Sequence, residues 1–93
     1  MIERSGGRLL VSAPLTMENS RRLLAAGCAA LQPGEQVFDF AAVSEADSSA
    51  IVIMLGWLRA AGKARASVRF VNIPAGVVSL AELYGVSELL PLV

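Results

Sequence analysis

The sequence lacks several residue types on which most enzymes and many metal-binding proteins depend. It contains no histidine, which removes the commonest metal ligand and the commonest general base. Its single cysteine, Cys28, cannot form an internal disulfide, so we expect an intracellular setting. No metal-ligand cluster, Gly-rich phosphate loop or nucleophile beside a base is visible. The sequence therefore predicts a protein that is not an enzyme and that holds no metal and no cofactor.

Charged and aromatic residues are also scarce. Eight basic and eight acidic residues give a net charge of zero, and aromatic residues make up only 5%, so nothing favours nucleic-acid binding. The longest apolar run, residues 50–58, is far shorter than the roughly 20 residues that span a bilayer. The N-terminus also lacks the basic and apolar pattern of a signal peptide. We therefore expect a cytosolic chain with no membrane span of its own.

Hydrophobic residues, in contrast, are abundant. They make up 55% of the chain, against roughly 45–50% in ordinary soluble proteins. Charged residues, at 17%, fall below the usual share of about 25%. The excess of hydrophobic residues can fill a tight core or leave an apolar face for a partner. The low share of charged residues favours the second explanation.

Periodicity predicts one α/β domain over residues 1–93. Strands are predicted over residues 8–12, 35–40 and 67–71, with an edge strand starting near Ile2. Helices are predicted over residues 17–31, 48–61 and 75–84, with a short terminal turn over 87–93. Strand, loop and helix in alternation are typical of βαβ units, so we expect a mixed sheet of about four strands. The helices should pack mainly on one face, and Gly27 would let the first helix lie close to its neighbour.

The loop before the second helix is the best candidate site. Asp47, Ser48 and Ser49 all suit a helix N-terminus, where free N–H groups need acceptors. The two hydroxyls also lie at the positive end of a helix dipole, which suits an added phosphate. On pattern alone, ordinary helix capping is the simpler explanation of these three residues. Only the surrounding sequence can favour a functional loop over simple capping.

The second helix is apolar on two faces. The face predicted to pack on the sheet carries Ile51, Met54, Leu55 and Leu58. The opposite face carries Val52, Ile53, Gly56 and Ala60, with Trp57 on its flank and charge only at Arg59 and Lys63. Such a helix is either buried on both sides or meets another protein. Because 93 residues leave little chain to cover the second face, we predict a partner-binding face at Ile53, Gly56, Trp57 and Ala60, with Trp57 as its anchor.

The sequence around the loop resembles a known family. Val43-Ser44-Glu45-Ala46-Asp47-Ser48-Ser49-Ala50-Ile51, followed by an apolar helix, is similar to the loop signature of STAS domains. The similarity continues through residues 68–73 and 79–86. Leu80-Ala81-Glu82-Leu83-Tyr84 is more similar to the MlaB-type subunit of the Mla phospholipid transporter than to a typical anti-sigma factor antagonist. One departure is Ala50, where the family usually has glycine.

The resemblance implies a fold and two alternative functions. The MlaB-type alternative is a non-catalytic subunit that binds and regulates an ABC transporter ATPase. The chain would then lie in the cytoplasm, held at the inner membrane through the ATPase and its permease, in a system that maintains outer-membrane lipid asymmetry. The other alternative is an anti-sigma factor antagonist, in which a kinase-type anti-sigma factor phosphorylates Ser48 or Ser49. Ser48 matches the family's loop hydroxyl in both, while the apolar outer helix face and the segment 80–84 favour the transporter.

Overall fold

A computed structural model describes residues 1–90 as one mixed sheet covered by helices. The strands are β1 (Ile2–Ser5), β2 (Arg8–Val11), β3 (Gly34–Asp39) and β4 (Ala66–Val71), in the order β1-β2-β3-β4. β1 runs antiparallel to β2, and the other neighbours are parallel. The helices are α1 (Ser20–Ala30), α2 (Ser49–Ala64) and α3 (Ala75–Leu83), with 3-10 turns at Met17–Asn19 and Ser87–Leu89. The predicted four-strand α/β domain is confirmed, and residues 91–93 of the predicted terminal turn lie outside the described residues.

One face of the sheet holds the core. Leu9, Phe38 and Phe70 lie side by side on β2, β3 and β4, and each is at most 1% exposed. Because side chains alternate along a strand, their neighbours point to the opposite face, where Arg8 and Arg69 are exposed. All three α-helices contribute buried residues to the cluster that covers Phe38. The helices therefore pack on one face, as predicted.

Trp57 lies at the centre of this core, so the prediction that it anchors a partner from an exposed position is wrong. Its ring stacks on Phe38 with centroids 4.3 Å apart and an interplanar angle of 6°. Phe40 and Phe70 lie 6.2 and 6.5 Å from it. Its Nε1–H donates to the backbone carbonyl of Leu23 in α1 at 3.1 Å. Trp57 thus joins α2 both to the sheet and to α1.

Ile53 is also fully buried, and its predicted place on the outer face is likewise wrong. The physical reason is that α2 packs against the sheet beneath it, against α1 alongside it and against α3. Together they bury more than half of the helix circumference, and Ile53 and Trp57 fall within that arc. Leu55 and Leu58, which were expected to face the sheet, are only half-buried.

The close approach of α1 and α2 depends on glycine. A Cβ placed on Gly27 would lie 2.7 Å from Trp57 Cδ1 and closer still to Nε1. A Cβ on Gly56 would lie 2.7 Å from Leu24 Cδ2. The expectation that Gly27 lets the two helices lie close together is confirmed.

Candidate partner-binding site

The loop that precedes α2, residues 44–49, is held in place by the Asp47 carboxylate. Its Oδ1 accepts the N–H of Ser49 at 2.7 Å, and its Oδ2 accepts the N–H of Met17 at 3.1 Å. Asp47 therefore supplies an acceptor to the start of α2 and to the 3-10 turn that leads into α1. The hydrogen bonds from Ser49 and Met17 lower the pKa of Asp47 below its usual value, so the carboxylate is charged at neutral pH.

Backbone pairing connects the same two helix starts. The N–H of Leu15 donates to the Glu45 carbonyl at 2.9 Å, and the N–H of Asp47 donates to the Leu15 carbonyl at 3.0 Å. Leu15 itself is fully buried. The capping prediction is thus correct for Asp47, whose carboxylate also bridges to a second element, whereas the Ser48 side chain makes no capping hydrogen bond.

The two serines differ in their surroundings. Ser48 is exposed at the residue before α2, whereas Ser49 is half-buried in its first turn. Ala50, where the family loop usually has glycine, is fully buried in the same turn. Ser48 therefore offers the more accessible of the two hydroxyls to a partner or a modifying enzyme.

A surface depression continues along α2 from this loop. It has a volume of about 420 Å³ and its apolar lining comes from Leu24, Val52, Leu55, Gly56 and Ala60, with Arg59 and Lys63 at one end. We call this depression the α1–α2 groove. Val52 is 63% exposed and lies one helical turn beyond Ser48. Ser48, Val52, Gly56 and Ala60 thus lie along one surface, although Ile53 and Trp57 do not.

A second depression lies beside the start of α2. Its volume is about 440 Å³, and it is lined by Pro14, Thr16, Met17, Glu18, Glu45 and Asp47. Three carboxylates therefore line this depression, and one of them, Asp47, accepts the Ser49 N–H at the start of α2. The α2 residues that line the α1–α2 groove are apolar except for Arg59 and Lys63.

A separate polar cluster on the open face of the sheet stabilises the strand ends. Asp39 Oδ1 accepts the side-chain N–H of Asn72 at 2.9 Å and the N–H of Ala41 at 2.9 Å. Asp39 Oδ2 accepts a hydrogen bond from Arg8 at 2.8 Å. The Asn72 hydrogen bond, followed by those from Ala41 and Arg8, lowers the pKa of Asp39. The cluster joins β2, β3 and the end of β4, and its role is structural.

Of the lining residues of the α1–α2 groove, only Gly56 and Ala60 were predicted as partner-binding residues. Val52, Arg59 and Lys63 were predicted only to lie on the same face of α2, and Leu24 and Leu55 were not predicted there at all. Leu55 lies seven residues after Ser48, so helical spacing from the loop could have identified it. Leu24 could not be found in this way, because it comes from α1 and reaches the groove only through the packing of the two helices.

The fold as a whole is similar to solved STAS domain structures. An anti-sigma-factor antagonist (STAS) domain protein from Planctomyces limnophilus is 14% identical, with a TM-score of 0.73 over 99% of this chain and 86% of that one. The anti-sigma factor antagonist SpoIIAA in its unphosphorylated form is 15% identical, with a TM-score of 0.72 over 100% of this chain and 86% of that one. These likenesses establish the fold as that of STAS domains.

The family is established by sequence. The sequence model of the family described as "Mlab, STAS domain" matches residues 2–91. The chain therefore belongs to the MlaB-type STAS domain family, which confirms the resemblance stated above. A comparison with curated protein sequences gives no significant match.

A third similar structure comes from a membrane transporter. The murine Solute Carrier 26 family member A9 anion transporter, in its inward-facing state, is 19% identical with a TM-score of 0.63. The match covers 92% of this chain but only 14% of the transporter chain. Within residues 1–90 of the present protein, no helix combines the length and the apolar character needed to cross a membrane.

Proposed function

We propose that this chain is a non-catalytic subunit that binds and regulates the ATPase of an Mla-type phospholipid ABC transporter. The observation that carries the proposal is the match of the MlaB-type family over residues 2–91. On this proposal the chain lies in the cytoplasm, reaches the inner membrane only through the ATPase and its permease, and serves a system that maintains outer-membrane lipid asymmetry.

The candidate surface is the loop at Asp47, Ser48 and Ser49 together with the α1–α2 groove. Ser48 and Val52 are exposed, and Gly56 and Ala60 are half-buried. A contiguous apolar surface with a polar rim is typical of protein–protein interfaces. The Asp47 bridge supports a regulatory role, because a partner that moves this carboxylate would disturb the starts of α1 and α2 together.

The proposal is tested by purifying the tagged protein at its native level from detergent-solubilised cells and identifying what copurifies. We expect an ATP-binding cassette subunit and a membrane permease. Ser48→Asp should reduce their recovery, because it adds a second negative charge beside Asp47 on the candidate surface. Ser67→Asp is the matched control, since Ser67 is an exposed serine on β4. Equal recovery with both variants, or purification without an ATPase, would contradict the proposal.

The second candidate function is an anti-sigma factor antagonist controlled by phosphorylation. The observation in its favour is the exposed Ser48 hydroxyl at the start of the 16-residue helix α2. A phosphoryl group there would add a charge of about −1.5 to −2 beside the anionic Asp47 and would oppose docking by repulsion and desolvation. Intact mass measurement of protein from growing cells should then show one added phosphoryl group, absent in Ser48→Ala. Copurification of a soluble kinase rather than a transporter would favour this function.

A further inference from the structure

The charged residues of α1 and α2 all have the same sign. α1 carries Arg21 and Arg22, α2 carries Arg59 and Lys63, and neither helix contains an aspartate or a glutamate. The chain as a whole, in contrast, has equal numbers of basic and acidic residues. The two helices therefore present a cationic surface, which is complementary to an anionic ligand.

Two of these four cations line the α1–α2 groove. Arg59 and Lys63 are both exposed, and the groove has no carboxylate in its lining. The ion pairs among residues 1–90 involve other cations and lie on the open face of the sheet. Because Arg59 and Lys63 are four residues apart on one helix, they are neighbours whose like charges repel. One anion bound between them would contact both and remove this repulsion.

The rest of the groove is apolar and has the size of a small-ligand site. Its volume of about 420 Å³ lies within the range of roughly 300–1,000 Å³ that is usual for such sites. Its seven lining residues are far fewer than the roughly 20–30 residues that each side of a standard protein interface contributes. The groove by itself therefore suits a small ligand that is apolar along most of its length and anionic at one end.

The length of the groove suits an alkyl chain. Val52 and Lys63 lie 11 residues apart on α2, about 17 Å along the helix axis. Between them Gly56 has no side chain and Ala60 has only a methyl group, and Leu24 of α1 fills the position of a Gly56 Cβ. A chain can thus lie along α2 over these small residues, with a headgroup at the cations.

We propose that the α1–α2 groove binds a single-chain anionic amphiphile. Its carboxylate or phosphate headgroup lies between Arg59 and Lys63, and its alkyl chain runs over Ala60 and Gly56 towards Val52. This inference does not depend on the proposed transporter function. Because the groove is part of the candidate partner surface, the bound amphiphile competes with any protein that covers Val52 and Gly56.

The test is a titration of the purified full chain with decanoate, followed by NMR of the backbone amides and kept below the concentration at which decanoate forms micelles. We expect saturable binding, with the largest shifts around Leu24, Gly56 and Ala60. Octanoate should bind more weakly, because each methylene removed from the groove raises the Kd by up to about fourfold. Decanol, which has the chain without the charge, should also bind more weakly than decanoate.

Variants separate the headgroup contact from a general loss of structure. Arg59→Gln/Lys63→Gln should raise the Kd for decanoate by at least about tenfold, because two charge-assisted contacts are lost, and should leave the affinity for decanol unchanged. Arg21→Gln/Arg22→Gln is the matched control, since it removes the same charge from α1 outside the groove lining and should leave decanoate binding unchanged. Ala60→Phe should fill the groove and weaken the binding of both ligands. The fluorescence of the buried Trp57 confirms that each variant is folded.

A comparison of headgroups identifies the source of the amphiphile. Tighter binding of decanoate points to a fatty acid and tighter binding of decyl phosphate to a lysophospholipid, and either result supports the proposal. No saturable binding of either compound, an affinity for inorganic phosphate equal to that for decyl phosphate, or decanoate binding unchanged in Arg59→Gln/Lys63→Gln would overturn it. Binding only to vesicles of anionic phospholipid, or only to an acidic peptide, would also overturn it, because the ligand would then be a membrane surface or a protein.

Discussion

The three glycines of α1 and α2 provide a graded test of how these two helices pack. A Cβ at Gly62 would meet nothing within 4 Å, a Cβ at Gly56 would meet the flexible tip of Leu24, and a Cβ at Gly27 would meet the indole ring of Trp57. Each Gly→Ala change carries the same gain in helix propensity, about 1 kcal/mol. Differences among the three variants therefore report packing alone.

The Trp57 ring cannot move aside to accommodate a methyl group at Gly27. It is stacked on Phe38 at 4.3 Å and held to the Leu23 carbonyl by a hydrogen bond of 3.1 Å. Overpacking of this kind costs about 1–3 kcal/mol. Separating the helices would also weaken the Trp57 hydrogen bond, and a buried donor left without its partner costs a further ~1–3 kcal/mol. After the propensity gain of about 1 kcal/mol is subtracted, Gly27→Ala should lose about 1–5 kcal/mol of unfolding free energy.

The measurement is urea unfolding of the three variants, followed by the fluorescence of Trp57, which is the sole tryptophan. Gly62→Ala should be the most stable, because it gains propensity at no packing cost. Gly56→Ala should be intermediate, because the Leu24 tip can rotate. Gly27→Ala should be the least stable. Its melting temperature should fall by roughly 4–8 °C for each kcal/mol of unfolding free energy that it loses. If Gly27→Ala is as stable as Gly62→Ala, the account of the α1–α2 contact is wrong.

Three further experiments test other parts of the structure. Trp57→Ala should lower the unfolding free energy by about 3–5 kcal/mol, whereas Val52→Ser should change it by less than about 0.5 kcal/mol; urea titrations that gave equal losses would contradict their placement. Asp47→Ala should lower the melting temperature more than Asp47→Asn in thermal scans, because asparagine keeps an oxygen acceptor for the two backbone N–H groups; equal melting temperatures would argue against the bridge. The folded-state pKa of Asp39 lies below its ordinary value of 3.8, so its stabilisation is complete above that pH and is lost as the pH falls through 3.8 toward the lowered value. Asp39→Asn should therefore lose less stability than the wild type between about pH 6 and about pH 3, and an unchanged pH slope would count against the Asp39 cluster.

Much of the fold could be predicted from the sequence because its signals are local. Apolar alternation and helical periodicity place the strands and helices within a few residues of their observed bounds. Where a helix ends depends on the conformation and hydrogen bonds of single residues. α2 passes Gly62 and ends at Ala64, where Arg65 takes the left-handed conformation at φ 57° and its N–H donates to the Ala61 carbonyl. The helix predicted to end at residue 61 therefore continues through Gly62 to Ala64.

The candidate site could be predicted only in part. The loop at Asp47 and Ser48 follows from capping preferences, which concern neighbouring residues in the chain. The outer face of α2 does not, because periodicity shows that a helix has two apolar faces but not which neighbour each face meets. Ile53 and Trp57 were placed outside for this reason, although both are fully buried. The bond between Asp47 and Met17 joins residues far apart in the chain, and no local pattern predicts it.

We propose that this STAS domain acts through a partner bound at the loop before α2 and the α1–α2 groove. Amide hydrogen exchange of the purified chain, with and without the transporter ATPase subunit, tests it most directly. We predict added protection across residues 44–60 and no change in β4 (Ala66–Val71). Protection confined to the sheet, or no protection at a concentration of ATPase that saturates binding, would contradict the claim.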